Sequence, residues 1–304
     1  MRPPVLMLII AVLVAPLAAR AQTPAADPTP RIVVMSAFPP EMTQLRAATT
    51  DAREVRVAGV SFVTGTLEGR PVVLVLSGMS MVNAAMTTQM ALDHFPVRAI
   101  VFSGIAGGID PGLSVGDVVA PDAWAEYLDG DFLRAGSDGR FAATRGHVPA
   151  YGMLAPRPVT VVAPDGTARP MDWLPADPAL LAVARSMPRA ELKRCAEDAA
   201  GGAHCLGAPP RLVVGGHGLS GPVFMDNADY RADAFATFHA QVLDMESAAV
   251  AHVAYANATP FIAFRSLSDL AGGGAEDQVR VFMRLASDNS ATVVRGFLRA
   301  LPAR

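Results

Sequence analysis

Three acidic residues stand just past apolar runs of the chain. Glu41 follows Arg31–Ser36 and the turn Ala37-Phe38-Pro39-Pro40, Glu246 follows Val242-Leu243-Asp244-Met245, and Asp269 closes Phe261–Ser268. In an open α/β sheet, ligands lie beyond the carboxyl ends of the strands, and carboxyl groups gathered there are suited to acid–base chemistry. Each acid also has a plain structural reading. Glu41 and Glu246 would complement the first turn of a helix, and Asp269 would serve as an N-cap or turn residue. Taken singly, the three positions leave both readings open.

The elements that must position these acids are legible as apolar periodicity. Strands are expected at 31–36, 61–67, 71–77, 99–103, 115–121, 211–215, 242–245 and 261–266, with Glu68-Gly69-Arg70 as a hairpin turn. Helices are expected from about Glu41, then at 83–95, 227–238, 247–255 and 276–301. Strands alternating with helices predict a single three-layer α/β/α domain around a mixed, largely parallel central sheet. Between about 124 and 210 the pattern loosens into Gly- and Pro-rich sequence, read as an insertion.

Composition agrees with this class. Of 304 residues, 51% are hydrophobic and 17% charged, the balance of a sheet buried on both faces. A net charge of −3 without a Lys/Arg block gives no reason to expect nucleic acid or an anionic membrane as a partner. Arg2, the apolar run 5–19 and Ala19-Arg20-Ala21 have the layout of a signal peptide over 1–21, although an uncleaved anchor looks similar. The expectation is therefore a periplasmic or secreted protein with no membrane contact after removal of that segment. Residues 22–30 would be a Pro-rich disordered leader, and 31–304 the folded domain. Cys195 and Cys205 are the two cysteines, and an oxidising compartment favours a disulfide between them. His94, His147, His204, His217, His239 and His252 show no metal-ligand spacing, so no metal is expected. Gly216-His217-Gly218-Leu219-Ser220-Gly221 matches a dinucleotide pattern formally. Pro222 follows where a helix should open, however, and no cofactor is expected.

Six blocks recur in a recognisable order: Met35-Ser36-Ala37-Phe38-Pro39-Pro40-Glu41, Leu76-Ser77-Gly78-Met79-Ser80, Ser103-Gly104-Ile105-Ala106-Gly107-Gly108, Val115-Gly116-Asp117-Val118-Val119, Asp244-Met245-Glu246-Ser247-Ala248-Ala249 and Arg265-Ser266-Leu267-Ser268-Asp269. Together they resemble the purine nucleoside phosphorylase superfamily, and within it the methylthioadenosine/S-adenosylhomocysteine nucleosidases. The resemblance spans about 31–122 and 211–301. It implies cleavage of the bond between a purine and its ribose through an oxocarbenium-like state. Asp269 matches the acid that protonates N7 of the leaving base, with Ser268 beside it to orient the carboxyl. Glu246 matches the residue that binds ribose hydroxyls, Met245 packs on the sugar, and Glu41 matches the residue that polarises the attacking water. Ser77, Gly78, Ala106, Gly107 and Arg265 fall in blocks expected to line the substrate. Ser220-Gly221-Pro222-Val223-Phe224-Met225-Asp226 resembles the segment whose aromatic ring, here Phe224, stacks on the purine while the Met225 backbone reads its edge. For Phe224, ordinary core packing is the competing reading.

The first loop speaks to the nucleophile. A phosphorylase holds phosphate with amides and Arg side chains, whereas this loop offers Pro39, Pro40 and a carboxylate, with no Arg before Arg46. Hydrolysis of an adenine-type nucleoside is therefore expected, with phosphorolysis and non-catalytic nucleoside binding or storage as alternatives. The resemblance further implies a homodimer. Departures fall on the substrate side: Phe38-Pro39-Pro40 replaces further acids, Gly78-Met79-Ser80 replaces a Gly-x-Gly, and Pro222-Val223 replaces the acid or amide before the aromatic residue.

Overall fold

The computed structural model describes residues 28–141, 149–197 and 202–302. The signal-like segment 1–21, leader residues 22–27 and His147 lie outside the described residues.

Strand β1 (Arg31–Ser36) shows how the sheet is covered on both faces. Successive strand side chains point to opposite faces, and the strand is apolar at both parities. Val33 and Met35 pack with Ala84 and Ala91 of α2 (Met81–His94) and with Ala248, Val250 and Ala251 of α5 (Ser247–Ala256). Ile32 and Val34 pack on the other side with Met42 and Leu45 of α1 (Pro39–Ala47), Leu181 of α3 (Pro178–Ser186) and Val294 and Phe297 of α6 (Ala275–Ala300). The result is the expected α/β/α sandwich.

Among the described residues the central sheet has twelve strands and is mixed. β1 lies parallel between β4 (Arg70–Leu76) and β5 (Val97–Gly108), and the Phe261–Asp269 strand runs parallel to β5 on its far side. The Ala240–Asp244 strand meets the end of β5 antiparallel, at Val242↔Gly108 and Leu243↔Gly107. The carboxyl ends of β1, Ala240–Asp244 and Phe261–Asp269 thus converge near the Gly-rich end of β5. The strand expected at 99–103 continues to Gly108.

Two further differences have simple causes. β2 (Thr50–Val57) is mostly exposed and carries Asp51, Arg53, Glu54 and Arg56, so no buried stripe marks it in the sequence. It pairs only with β3 (Val60–Leu67), and its charges suit a sheet edge. Within 124–210, β7 (Ala123–Glu126) and the two-residue strand Leu174–Pro175 join the central sheet, and α3 covers one face of it. Other described residues of this stretch form short antiparallel strand pairs, among them Cys195–Glu197 with Ala203–Cys205, where the two cysteines are bridged. Among the described residues no helix is long and apolar enough to cross a membrane.

Candidate active site

Glu41 is placed by α1. Phe38 enters in extended conformation, and Pro39 and Pro40 occupy the first two helical positions, where a fixed φ costs nothing and no N–H is missed. Glu41 therefore falls in the first turn, and its two oxygens face different ways. Oε2 accepts the N–H groups of Ala37 (2.7 Å) and Phe38 (3.4 Å), the capping role available from sequence. Oε1 accepts the Ile105 N–H of β5 at 2.8 Å, which draws the carboxylate over the sheet end. A Cβ at Gly104 would lie 2.0 Å from Arg265 Nη1 and 2.5 Å from Glu41 Oε1. The glycine is what lets these groups close over the strand.

Glu246 precedes α5 but does not cap it. Its Oε1 accepts the Ser80 N–H at 2.8 Å from the loop before α2, and its Oε2 faces Arg265 Nη2 at 3.3 Å. The cap comes instead from Asp244, whose Oδ1 accepts the N–H groups of Glu246 and Ser247, both at 3.1 Å, and the Ser220 hydroxyl at 2.5 Å. Asp269 ends its strand in a tight turn. Oδ1 accepts the Ala271 N–H and Oδ2 the Ser268 hydroxyl, both at 2.8 Å. The turn reading of Asp269 and its place in a cleft therefore hold together.

All three acids line one cavity of about 280 Å³, with Ala106, Gly107, Phe224, Met225, Met245 and Ser268 among its other walls. Phe224 keeps 55% of its surface open, so it is not an ordinary core ring. Two of the expected substrate-lining residues, Ser77 and Gly78, lie along an adjoining groove between α1 and α2 that shares Ala37, Phe38 and Met79 with the cavity. Arg265 lies apart from the cavity wall. It is fully buried, stacks its guanidinium 4.0 Å from the Phe102 ring centroid, and does not line the cavity. It stands behind the acids, with Nη1 3.7 Å from Glu41, Nη2 3.3 Å from Glu246 and Nε 2.7 Å from Asp244.

Burial sets the charge states. It pushes Glu246 up to about 7, against the pull of Arg265 and with help from Asp244. Burial raises Asp269 to about 6, opposed by the Ala271 N–H and the Ser268 hydroxyl. Glu41 is likewise raised by burial, with Arg265 and three backbone N–H groups pulling the other way. For Arg265, burial works against the charge, yet Asp244, Glu246 and Glu41 hold its pKa above the usual value. The cavity lining contains Glu41, Asp244, Glu246 and Asp269 and, among the described residues, no Lys or Arg.

Asp244 was quoted in a block of the sequence but given no role, because a cap and a buried ion pair are long-range facts. Val279 and Met283 also line the cavity. Their four-residue spacing on α6 marked one helix face but not what it faced.

A model of the phosphorylase superfamily matches residues 31–299. The 5′-methylthioadenosine/S-adenosylhomocysteine nucleosidase of Mycobacterium bovis is 30% identical over 272 residues, 88% of this chain and 96% of the relative. That of Marinomonas sp. is 32% identical over 270 residues, covering 88% and 98%. Among solved structures, the S. pneumoniae nucleosidase bound to the transition-state inhibitor MT-ImmA superposes with a TM-score of 0.66 at 27% identity, over 90% of this chain and all of that one. The futalosine hydrolase of Helicobacter pylori, at 20% identity and a TM-score of 0.65, shares the fold.

Proposed function

The chain belongs to the phosphorylase superfamily, and from that premise we propose that it hydrolyses the N-glycosidic bond of an adenine-type nucleoside such as methylthioadenosine or S-adenosylhomocysteine. One observation carries the choice of water over phosphate: among the described residues the cavity is lined by four carboxyl groups and no cation. A phosphate dianion would meet repulsion from Glu41 and find no fork of donors to hold it. The guanidinium behind the acids, Arg265, already faces three of them.

In this reading the purine lies between Phe224 and the Ser268–Asp269 end of its strand, and the ribose lies toward Met245 and Glu246. Asp269 delivers its proton to N7 as the C1′–N9 bond breaks and its electron pair passes to the base. Glu246 holds the sugar hydroxyls and offers negative charge to the cationic sugar. Glu41 accepts a proton from the water that adds to C1′. No cofactor takes part in these steps. Incubation of the protein with a nucleoside panel, with and without phosphate, tests the reading. Free adenine and the free ribose moiety should appear at the same rate in both. A rate that requires phosphate, with a sugar 1-phosphate as product, makes the protein a phosphorylase, and binding without turnover makes it a nucleoside carrier.

The reading extends to an exported homodimer. The signal-like pattern of residues 1–21 supports export, and fractionation of cells expressing the full chain checks it by finding activity outside the cytoplasm. The exposed Met79, Val82 and Met86 beside the cavity mouth support self-association, and sedimentation at micromolar concentration checks it by giving twice the chain mass.

A further inference from the structure

Asp244 is a buried acid that the proposed steps do not use. Its Oδ1 is fully engaged by Ser220, Glu246 N–H and Ser247 N–H, while its Oδ2 lies 2.7 Å from Arg265 Nε as an ion pair without a hydrogen bond. Arg265 thus presents each of its three nitrogens to a different carboxylate: Nε to Asp244, Nη2 to Glu246 at 3.3 Å, Nη1 to Glu41 at 3.7 Å. The tightest of the three contacts goes to the acid that does no chemistry. Ser247 Oγ accepts from the same Nε at 2.9 Å, and Arg265 Nη1 also reaches the Ile105 carbonyl at 3.4 Å, so the guanidinium is fixed in its plane.

We propose that Asp244 is a positioning residue: it anchors Arg265 away from the cavity, so that Glu246 and Glu41 stay loosely paired and free to engage sugar and water. Three carboxylates around one buried cation leave an excess of negative charge in a dry site, which one shared proton relieves. Asp244 has three donors on one oxygen and the shortest of the three contacts with Arg265 on the other. The proton is left to Glu246 and Glu41. The groups facing Glu246 are Arg265 from its strand, Asp244 from the preceding strand and Glu41 from α1, and burial with these neighbours carries Glu246 up to about 7.

The inference rests on the hydrolase reading, so its test includes a measurement that needs no turnover. Asp244→Asn keeps an oxygen for Ser220 and the two α5 amides but removes the negative charge facing Arg265 and Glu246. Arg265 then turns its full charge on Glu246 and Glu41. The acid limb of the kcat/KM profile, which reports ionisation of Glu246, should move to lower pH by about one unit, with Asp244→Glu restoring the parent limb. A folded Asp244→Asn enzyme whose acid limb is unmoved overturns the proposal. Carboxyl carbon NMR decides it independently of activity. Glu246 should titrate near neutrality in the parent and about one unit lower in Asp244→Asn. A Glu246 midpoint that is the same in the two proteins overturns the proposal as well.

Discussion

The two ends of the cavity hold acids of the same chemical kind in opposite settings. At the sugar end, Glu246 and Glu41 are backed by a fully buried guanidinium. At the base end, Asp269 makes no ion pair among the described residues; it accepts from a hydroxyl and one backbone N–H, with Asp226 and Arg231 acting on it from farther off. Burial raises the pKa at both ends. The difference lies in what acts beside it: Arg265 pulls Glu246 down while Asp244 and Glu41 push it up, leaving it at about 7, whereas a backbone N–H and a hydroxyl hold Asp269 down to about 6. Both carboxyl groups thus titrate close to neutrality, where such a group can serve as acid or base, and the proposed reaction needs both roles.

The comparison breaks most completely at Asp269. Asp269→Asn keeps the shape and the contacts with Ser268 and Ala271 but has no proton of suitable acidity to give. Turnover should fall by roughly 10²–10⁴, with KM within a few-fold of the parent. Parent-like kcat in this variant would mean that the base leaves without Asp269, and the base end would lose its distinct character.

Removing the cation attacks the other end. Arg265→Met retains the bulk over Phe102 but leaves Asp244, Glu246 and Glu41 without their counter-charge. Losing one partner of a buried ionic cluster costs about 3–5 kcal/mol, so the variant should unfold at markedly lower denaturant and need acidic pH to stay folded. A midpoint equal to the parent's would show that the guanidinium is not what holds the acids.

Much of this contrast was legible in the sequence, and its limits are physical. Strands such as Arg31–Ser36 and Phe261–Asp269 announced themselves because both faces are buried, and the acids at their ends followed from where open sheets bind ligands. The placement of Glu41, Glu246 and Asp269 on one cavity needed coordinates, since nothing in a linear pattern states that residues 41, 246 and 269 meet. The same holds for Arg265. Its block suggested a residue that touches substrate, whereas pairing with acids from two other elements drew it behind them. Asp244 was hidden for a related reason. An acid three residues before a helix reads as strand-end punctuation, and only the ion pair reveals a second task. β2 was missed because an exposed edge strand buries no stripe to count.

The same contrast predicts a pH dependence of stability, smaller and of known sign. Asp269 carries a pKa of about 6 in the fold against 3.8 for an ordinary aspartate. Between those values the native protein binds more proton than the unfolded chain, so stability falls as pH rises through the window. The penalty is absent below about pH 4 and fully present above about pH 7. Asp269→Asn has no such term, so relative to the parent it should gain stability on going from pH 4 to pH 8, by on the order of 2–3 kcal/mol at most. Urea titrations of the two proteins at several pH values measure the gap directly. A gap that stays constant with pH would mean that Asp269 is ionised in the fold as readily as in water, and the proton proposed for N7 would have no holder near neutrality.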